Sequence, residues 1–125
     1  MKMSDFRNGS LFKLKKADIS VANDVTPLLI GGEDIIGCYK GLRDYVEFTN
    51  KRVIAVKVQG VTGKKKDFTT LPYSKIQAFS VETAGVFDLD SELELHFSGL
   101  GLVKFDFTGS SDIISIGNAI SNYLL

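Results

Sequence analysis

Between Glu33 and Phe107, apolar side chains recur at every second position, and turn-forming residues interrupt them roughly every eight to twelve residues. A period of two places successive side chains on opposite faces of an extended strand, so this stretch buries an apolar face only as β-structure. Strands are predicted near 34–39, 44–49, 52–58, 65–72, 76–82, 91–97 and 103–108. The clearest pair carries Leu93, Leu95 and Phe97, then Val103, Phe105 and Phe107, across the turn Ser98-Gly99-Leu100-Gly101. Pro72 has no N–H to donate and is expected at a strand end or on a sheet edge.

The two ends of the chain read differently. In the first sixteen residues Phe6, Leu11, Phe12 and Leu14 mix with Lys13, Lys15, Lys16 and the turn formers Asn8 and Gly9; a loose arm and a short docked helix fit equally. From Ala17 to Ile30 the spacing of Ile19, Val21, Ala22, Val25, Leu28 and Leu29 suits short helical pieces, limited by Pro27 and stopped by Gly31 and Gly32. After Gly109, Ser110, Ser111 and Asp112 offer N-caps for an amphipathic helix with Ile113, Ile116, Ile120 and Leu124 on one face. That face is expected to cover an open end of the β-structure.

A chain of 125 residues fits one domain, divided here into an N-terminal arm and short helix (1–30) and a β-domain (31–125). Fifteen basic residues balance fifteen acidic ones, which removes the net field expected of a nucleic-acid binder and leaves membrane contact at most peripheral. Cys38 is the sole cysteine, and the N-terminal stretch has no apolar core of a secretory signal, so the cytoplasm is the expected location. No run approaches the roughly 18 apolar residues of a membrane span.

Several segments occur in a particular order: Arg43-Asp44, then 48–52 (FTNKR), 59–65 (QGVTGKK), 71–76 (LPYSKI) and 79–93 (FSVETAGVFDLDSEL). In these the chain resembles the bacterial pleckstrin-homology (PH) domain family of small uncharacterised proteins, from about Leu29 through the C-terminal helix. The resemblance implies a mainly β fold: a seven-stranded pair of roughly orthogonal antiparallel sheets capped by a C-terminal α-helix. It also implies a tendency to form ring-like homo-oligomers and no established catalytic activity. A ligand does not follow from the fold.

The stretch VQGVTGKKKDF, residues 58–68, has glycine and lysine but not the spacing of a phosphate-binding loop, and strands flank it on both sides. It reads as a hairpin turn in which Gly60 and Gly63 supply positive φ. The functional alternative is an anionic headgroup grip by Lys40, Arg43, Lys64, Lys65 and Lys66, weakened by Asp44 and Glu47 where further bases are wanted.

Asp88, Asp90, Glu92, Glu94 and His96 alternate with Leu89, Leu93, Leu95 and Phe97, which reads as a solvated acidic strip beside a buried face. A calcium loop begun at Asp88 fails, with Leu93 where glycine and Gly99 where glutamate are needed. Glu92, Glu94 and His96 span about 13 Å along a strand, too far for one small ion. No metal, cofactor or nucleophilic cluster is expected. The loop Thr83-Ala84-Gly85-Val86-Phe87 is open to two readings: Phe87 covers the barrel end, or Thr83, Ala84, Gly85 and Phe87 join Asp88, Asp90 and Glu92 in a subunit or partner contact. The acidic strip and Lys64 to Lys66 are opposite charges able to meet across subunits, and an open strand edge offers peptide addition.

The leading expectation is therefore a non-enzymatic binding and scaffolding module that forms a homo-oligomer and presents a protein-interaction surface. A peripheral membrane adaptor is second. A small metal-dependent or hydrolytic enzyme is third.

Overall fold

A computed structural model describes residues 10–109 and 111–125, so Phe6, Asn8, Gly9 and Ser110 lie outside the described residues. The described residues form eight strands: Ser10–Lys16 (β1), Ile35–Lys40 (β2), Asp44–Thr49 (β3), Arg52–Gln59 (β4), Lys65–Pro72 (β5), Ile76–Glu82 (β6), Ser91–Phe97 (β7) and Gly101–Phe107 (β8). They make one sheet in the order β5-β4-β3-β2-β1-β8-β7-β6, followed by the helix Ile113–Leu124 (α1). Every strand expected between residues 34 and 108 is found, with ends shifted by no more than two positions. Pro72 closes β5, which is also an edge strand.

The chief departure is β1. Residues 10–16 are neither a loose arm nor a docked helix. They pair in parallel with β8, from Ser10 opposite Val103 to Leu14 opposite Phe107, and then turn Lys15 and Lys16 onto Lys40 and Tyr39 of β2. The mainly β, helix-capped fold stands, but the two sheets expected are sections of one sheet joined at β1, and the strand count rises from seven to eight. Alternation explains the fit: Phe12 and Leu14 are buried at 4% and 1% exposure while Leu11 is 53% exposed and Lys13 points outward.

One core fills the inside of this curled sheet. Phe12 stacks on Phe105 with ring centroids 5.3 Å apart, Phe48 meets Phe105 edge-on at 5.3 Å, and Tyr39 tilts against Phe107 at 4.7 Å. The stripe of α1 closes the core with Ile113, Ile116 and Ile120, as its spacing predicts. Asp112 occupies the N-cap without a side-chain cap bond; its backbone N–H instead donates to Tyr39 Oη at 3.3 Å.

The opposite, outer face of β2–β4 is covered as well. Two 3-10 turns, Ile19–Asp24 and Thr26–Leu28, form a strap across it, matching the short helical pieces expected. Val25 packs there on Ile54 and Val56, which is why Val53, Ile54, Ala55 and Val56 are all buried in succession. Asp18 caps the first turn by accepting from Ser20 N at 2.9 Å.

The far end of the strap is clamped by Glu33 and Arg52. Arg52 Nε donates to Glu33 Oε2 at 2.8 Å, and its Nη2 donates to Glu33 Oε1 at 3.0 Å and Leu28 O at 2.7 Å. Thr49 Oγ1 and Ile30 N also donate to this carboxylate, at 2.7 and 3.1 Å. Burial pushes the Glu33 carboxyl up, but the bonds from Arg52, Thr49 and Ile30 together hold it below the usual carboxylate value.

Phe12→Ala is expected to lower unfolding stability by about 3–4 kcal/mol, and Leu11→Ala by no more than about 0.5 kcal/mol, in urea titrations. Equal, small losses would contradict β1 as a core strand. Glu33→Ala strands Arg52 and is expected to cost about 3 kcal/mol. Because folding lowers the Glu33 value, its contribution is full above the ordinary carboxylate range and fades as pH falls through the lowered one. Glu33→Gln should remove that part of the acid limb.

Candidate functional site

The turn between β2 and β3 carries the first basic candidates. Gly41 N donates to Asp44 O at 2.9 Å to close it, and Leu42 at its tip is 100% exposed. Arg43 Nη2 donates to Gly60 O at 2.7 Å, which ties this turn to the β4–β5 turn. In that second turn Gly60 and Gly63 have φ of 76° and 70°, the left-handed region that favours glycine, as expected for a hairpin. The structure therefore brings Lys40 and Arg43 beside the turn that holds Lys64 and Lys65. Lys66 is set apart: its Nζ is ion-paired with Asp24 of the strap.

Three bases outside the candidate headgroup set join this end of the molecule, two of them from the basic N-terminal stretch. Lys13 and Lys15 arrive on β1 and Lys57 on β4. A groove of about 420 Å³ runs between Leu11, Lys13, Leu42, Arg43 and Lys57, and one of about 360 Å³ between Lys13, Lys15, Lys40 and Thr108. Asp44 sits opposite Lys57; burial raises its carboxyl and the Lys57 charge works against that rise. The missed signal was alternation in 11–15, which places Lys13 and Lys15 on the outer side once those residues are read as a strand.

The second candidate surface, the loop 83–90, lies at the end of the edge strand β6. Gly85 N donates to Asp88 O at 2.6 Å, closing the loop on itself. Phe87 is 100% exposed and Val86 is also exposed, so Phe87 does not cover the end of the core; α1 does. Asp88 and Asp90 precede β7 instead of lying on it. Asp88 Oδ1 accepts from Asp90 N at 3.0 Å, and Asp90 Oδ1 from Gly109 N at 3.2 Å. Leu89, expected on the buried face, is 63% exposed because strand alternation starts only at Ser91.

Within β7 the acidic side chains are partly neutralised in place. Lys104 Nζ of β8 lies 3.4 Å from Glu92 Oε1 and 3.8 Å from Glu94 Oε1. The carboxylates left to the loop end are thus Asp88 and Asp90. A groove of about 290 Å³ beside them is lined by Ala84, Leu89, Ser91, Ser111 and Ile113. Thr83, Ala84 and Gly85 are exposed.

His96 is exposed and Cys38 is buried. Burial, then the charges of Glu47 and Asp18, push the Cys38 thiol up to about 11. Among the described residues no group of three or more His, Cys, Asp or Glu side chains is placed to hold a metal ion. No helix among them is long and apolar enough to cross a membrane. One further ionisable group stands out: Glu47, on the outer face of β3, is fully buried with no hydrogen-bond partner for either carboxyl oxygen.

The chain is 48% identical to the uncharacterized protein YjqA of Bacillus subtilis (strain 168) over 83 residues, a stretch covering 66% of each, just under two thirds. It is 32% identical over 103 residues to the uncharacterized protein YozO of the same strain, covering 82% of this chain and 89% of YozO. A crystal structure of a DUF1696 family protein with a pleckstrin-homology domain from Shewanella loihica PV-4 superposes with a TM-score of 0.72. It is 35% identical and covers 91% of this chain and 99% of its own. The pleckstrin homology domain from Shewanella amazonensis SB2B matches at a TM-score of 0.60 and 38% identity, covering 89% and 91%. With the bacterial PH domain profile matching residues 5–124 as well, the chain belongs to the bacterial PH domain family.

Proposed function

We propose that this chain is a non-catalytic binding and scaffolding module of the cytoplasm that assembles with copies of itself and presents a surface to a protein or peptide partner. The observation that carries this reading is the loop 83–90. Val86, Phe87 and Leu89 stand in solvent on a loop held in shape by its own backbone bond, an arrangement that wastes apolar area unless another surface covers it. The occupant best matched to it is a second copy. Asp88 and Asp90 flank Phe87, and the opposite charge is present on the same chain at Lys13, Lys15, Lys40, Lys64 and Lys65. β5 and β6, the two ends of the sheet, are different edges, so contact of β5 with β6 of the next copy is head-to-tail and forms a ring where the rotation between copies closes.

A second reading rests on the basic end. Exposed Leu42 among Lys13, Lys15, Lys40, Arg43 and Lys57 is suited to an anionic surface, with the leucine entering the apolar boundary. In this reading Lys66 contributes nothing, because Asp24 holds it.

Light scattering of the purified protein is expected to give a discrete multi-subunit mass. Phe87→Ser should weaken assembly by about 2 kcal/mol, roughly thirtyfold. A monomer at all concentrations, or a Phe87→Ser variant that assembles as well as the parent, overturns the first reading. For the second, co-sedimentation with anionic vesicles should fall with salt and drop about fivefold for Lys40→Gln. The same loss with neutral vesicles would argue against charge recognition.

A further inference from the structure

Glu47 lies on the outer face of β3, opposite Cys38 of β2 and Ile54 of β4. It is 0% exposed, and both of its carboxyl oxygens lack a hydrogen-bond partner. A neutral carboxyl in such a place is costly and an ionised one far more so, because no donor or cation replaces the water it has lost. We propose that the strap, residues 17–30, is a pH-released cover of the outer sheet face, and that Glu47 is the group whose ionisation releases it.

The charged and titratable groups around Glu47 all leave its charge unopposed. From the strap come Asp24, whose charge acts directly on it, and Asp18, which with Glu47 acts on the Cys38 thiol. From its own strand comes Tyr45, packed on the Val25, Ile54 and Val56 cluster. Of the cations on this face, Arg52 of β4 bonds Glu33 and Leu28 O and Lys66 of β5 pairs with Asp24, while Lys40 of β2 lies two residues beyond Cys38, opposite Tyr45. Burial, and then the Asp24 charge, push the Glu47 carboxyl up to about 8.

The cover itself is built to lift. Its two turns are 3-10 and not α-helical, and only Ala22 and Val25 are buried within it. It is pinned by Ala17 N donating to Cys38 O at 2.9 Å, by Arg52 on Leu28 O at 2.7 Å, and by the Lys66–Asp24 pair. Lifting it hydrates Glu47 without disturbing the inner core.

The sign follows from linkage. With the strap down, the carboxyl keeps its proton up to about pH 8; with the strap lifted, it loses the proton near its ordinary value of 4.5. Between those values the closed form holds one proton that the open form has released, so closure weakens as pH rises and levels off above about 8.

Hydrogen exchange of the full chain tests this. After correction for intrinsic chemistry, the opening constants of the Val21, Val25 and Leu28 amides, bonded to Asp18 O, Ala22 O and Val25 O, should rise with pH. The expected slope approaches tenfold per pH unit across about pH 5 to 8. The Leu93 and Phe105 amides serve as inner-core controls. Glu47→Gln and the apolar Glu47→Leu should flatten the strap profile and raise its protection at neutral pH. A flat profile in the parent chain overturns the proposal. So does a slope that persists in both variants, an equal slope in the core amides, or a Glu47 carboxyl that titrates near its ordinary value by carbon NMR.

Discussion

The rings of Phe12, Tyr39, Phe48, Phe105 and Phe107 meet at the junction of the two sheet sections, and the rest of the fold is organised around that contact. They come from β1, β2, β3 and β8, so each ring pair either spans the junction or supports a strand that does. Burying an aromatic of this size contributes on the order of 2–3 kcal/mol, and edge-on or offset ring pairs add about 0.5–1.5 kcal/mol each. No hydrogen bond in the sheet is worth as much on its own. The ladder sets register, while the rings decide that the sheet curls over one core.

A consequence is that β1 is the seam of the molecule. Its first part follows β8 and its last two residues follow β2, so a single strand belongs to both sections. Thr108 reinforces the seam: its N–H and its Oγ1 both donate to Leu14 O, at 2.8 and 3.2 Å. The seam also sets the surface. It carries Lys13 and Lys15 to the β2–β3 turn and thereby adds two bases to the basic end.

The outer face holds two carboxylates treated in opposite ways. Glu33 is surrounded by donors and stays ionised, clamping one end of the strap. Glu47 is buried too and has no donors. Dehydration of a charge is tolerable only with excellent pairing, so the first site fastens and the second loosens. The loop 83–90 is another place where local stability was not maximised, since its apolar side chains contribute nothing to the folded monomer.

Local pattern was sufficient for the strands from β2 to β8, for α1 and its stripe, for the glycine-bearing hairpin turn, and for the order of elements that marks the family. Those features depend on residues a few positions apart, where periodicity and turn chemistry act directly. The seam strand was not legible, because residues 10–16 alternate over too short a run and their main partner, β8, lies at the far end of the chain. The same holds for the sites. Lys40, Arg43, Lys64 and Lys65 could be picked out as bases near turns, but their neighbours Lys13, Lys15 and Lys57 are supplied by other strands. Leu89 looked buried until the start of β7 was known. Glu47 read from the sequence only as an acid where a headgroup grip wants a base; the strap folding back over β3 makes it a buried one. Composition and period determined what kind of face each segment has, and tertiary packing decided what lies against it, because burial and charge pairing are properties of the neighbour as much as of the residue.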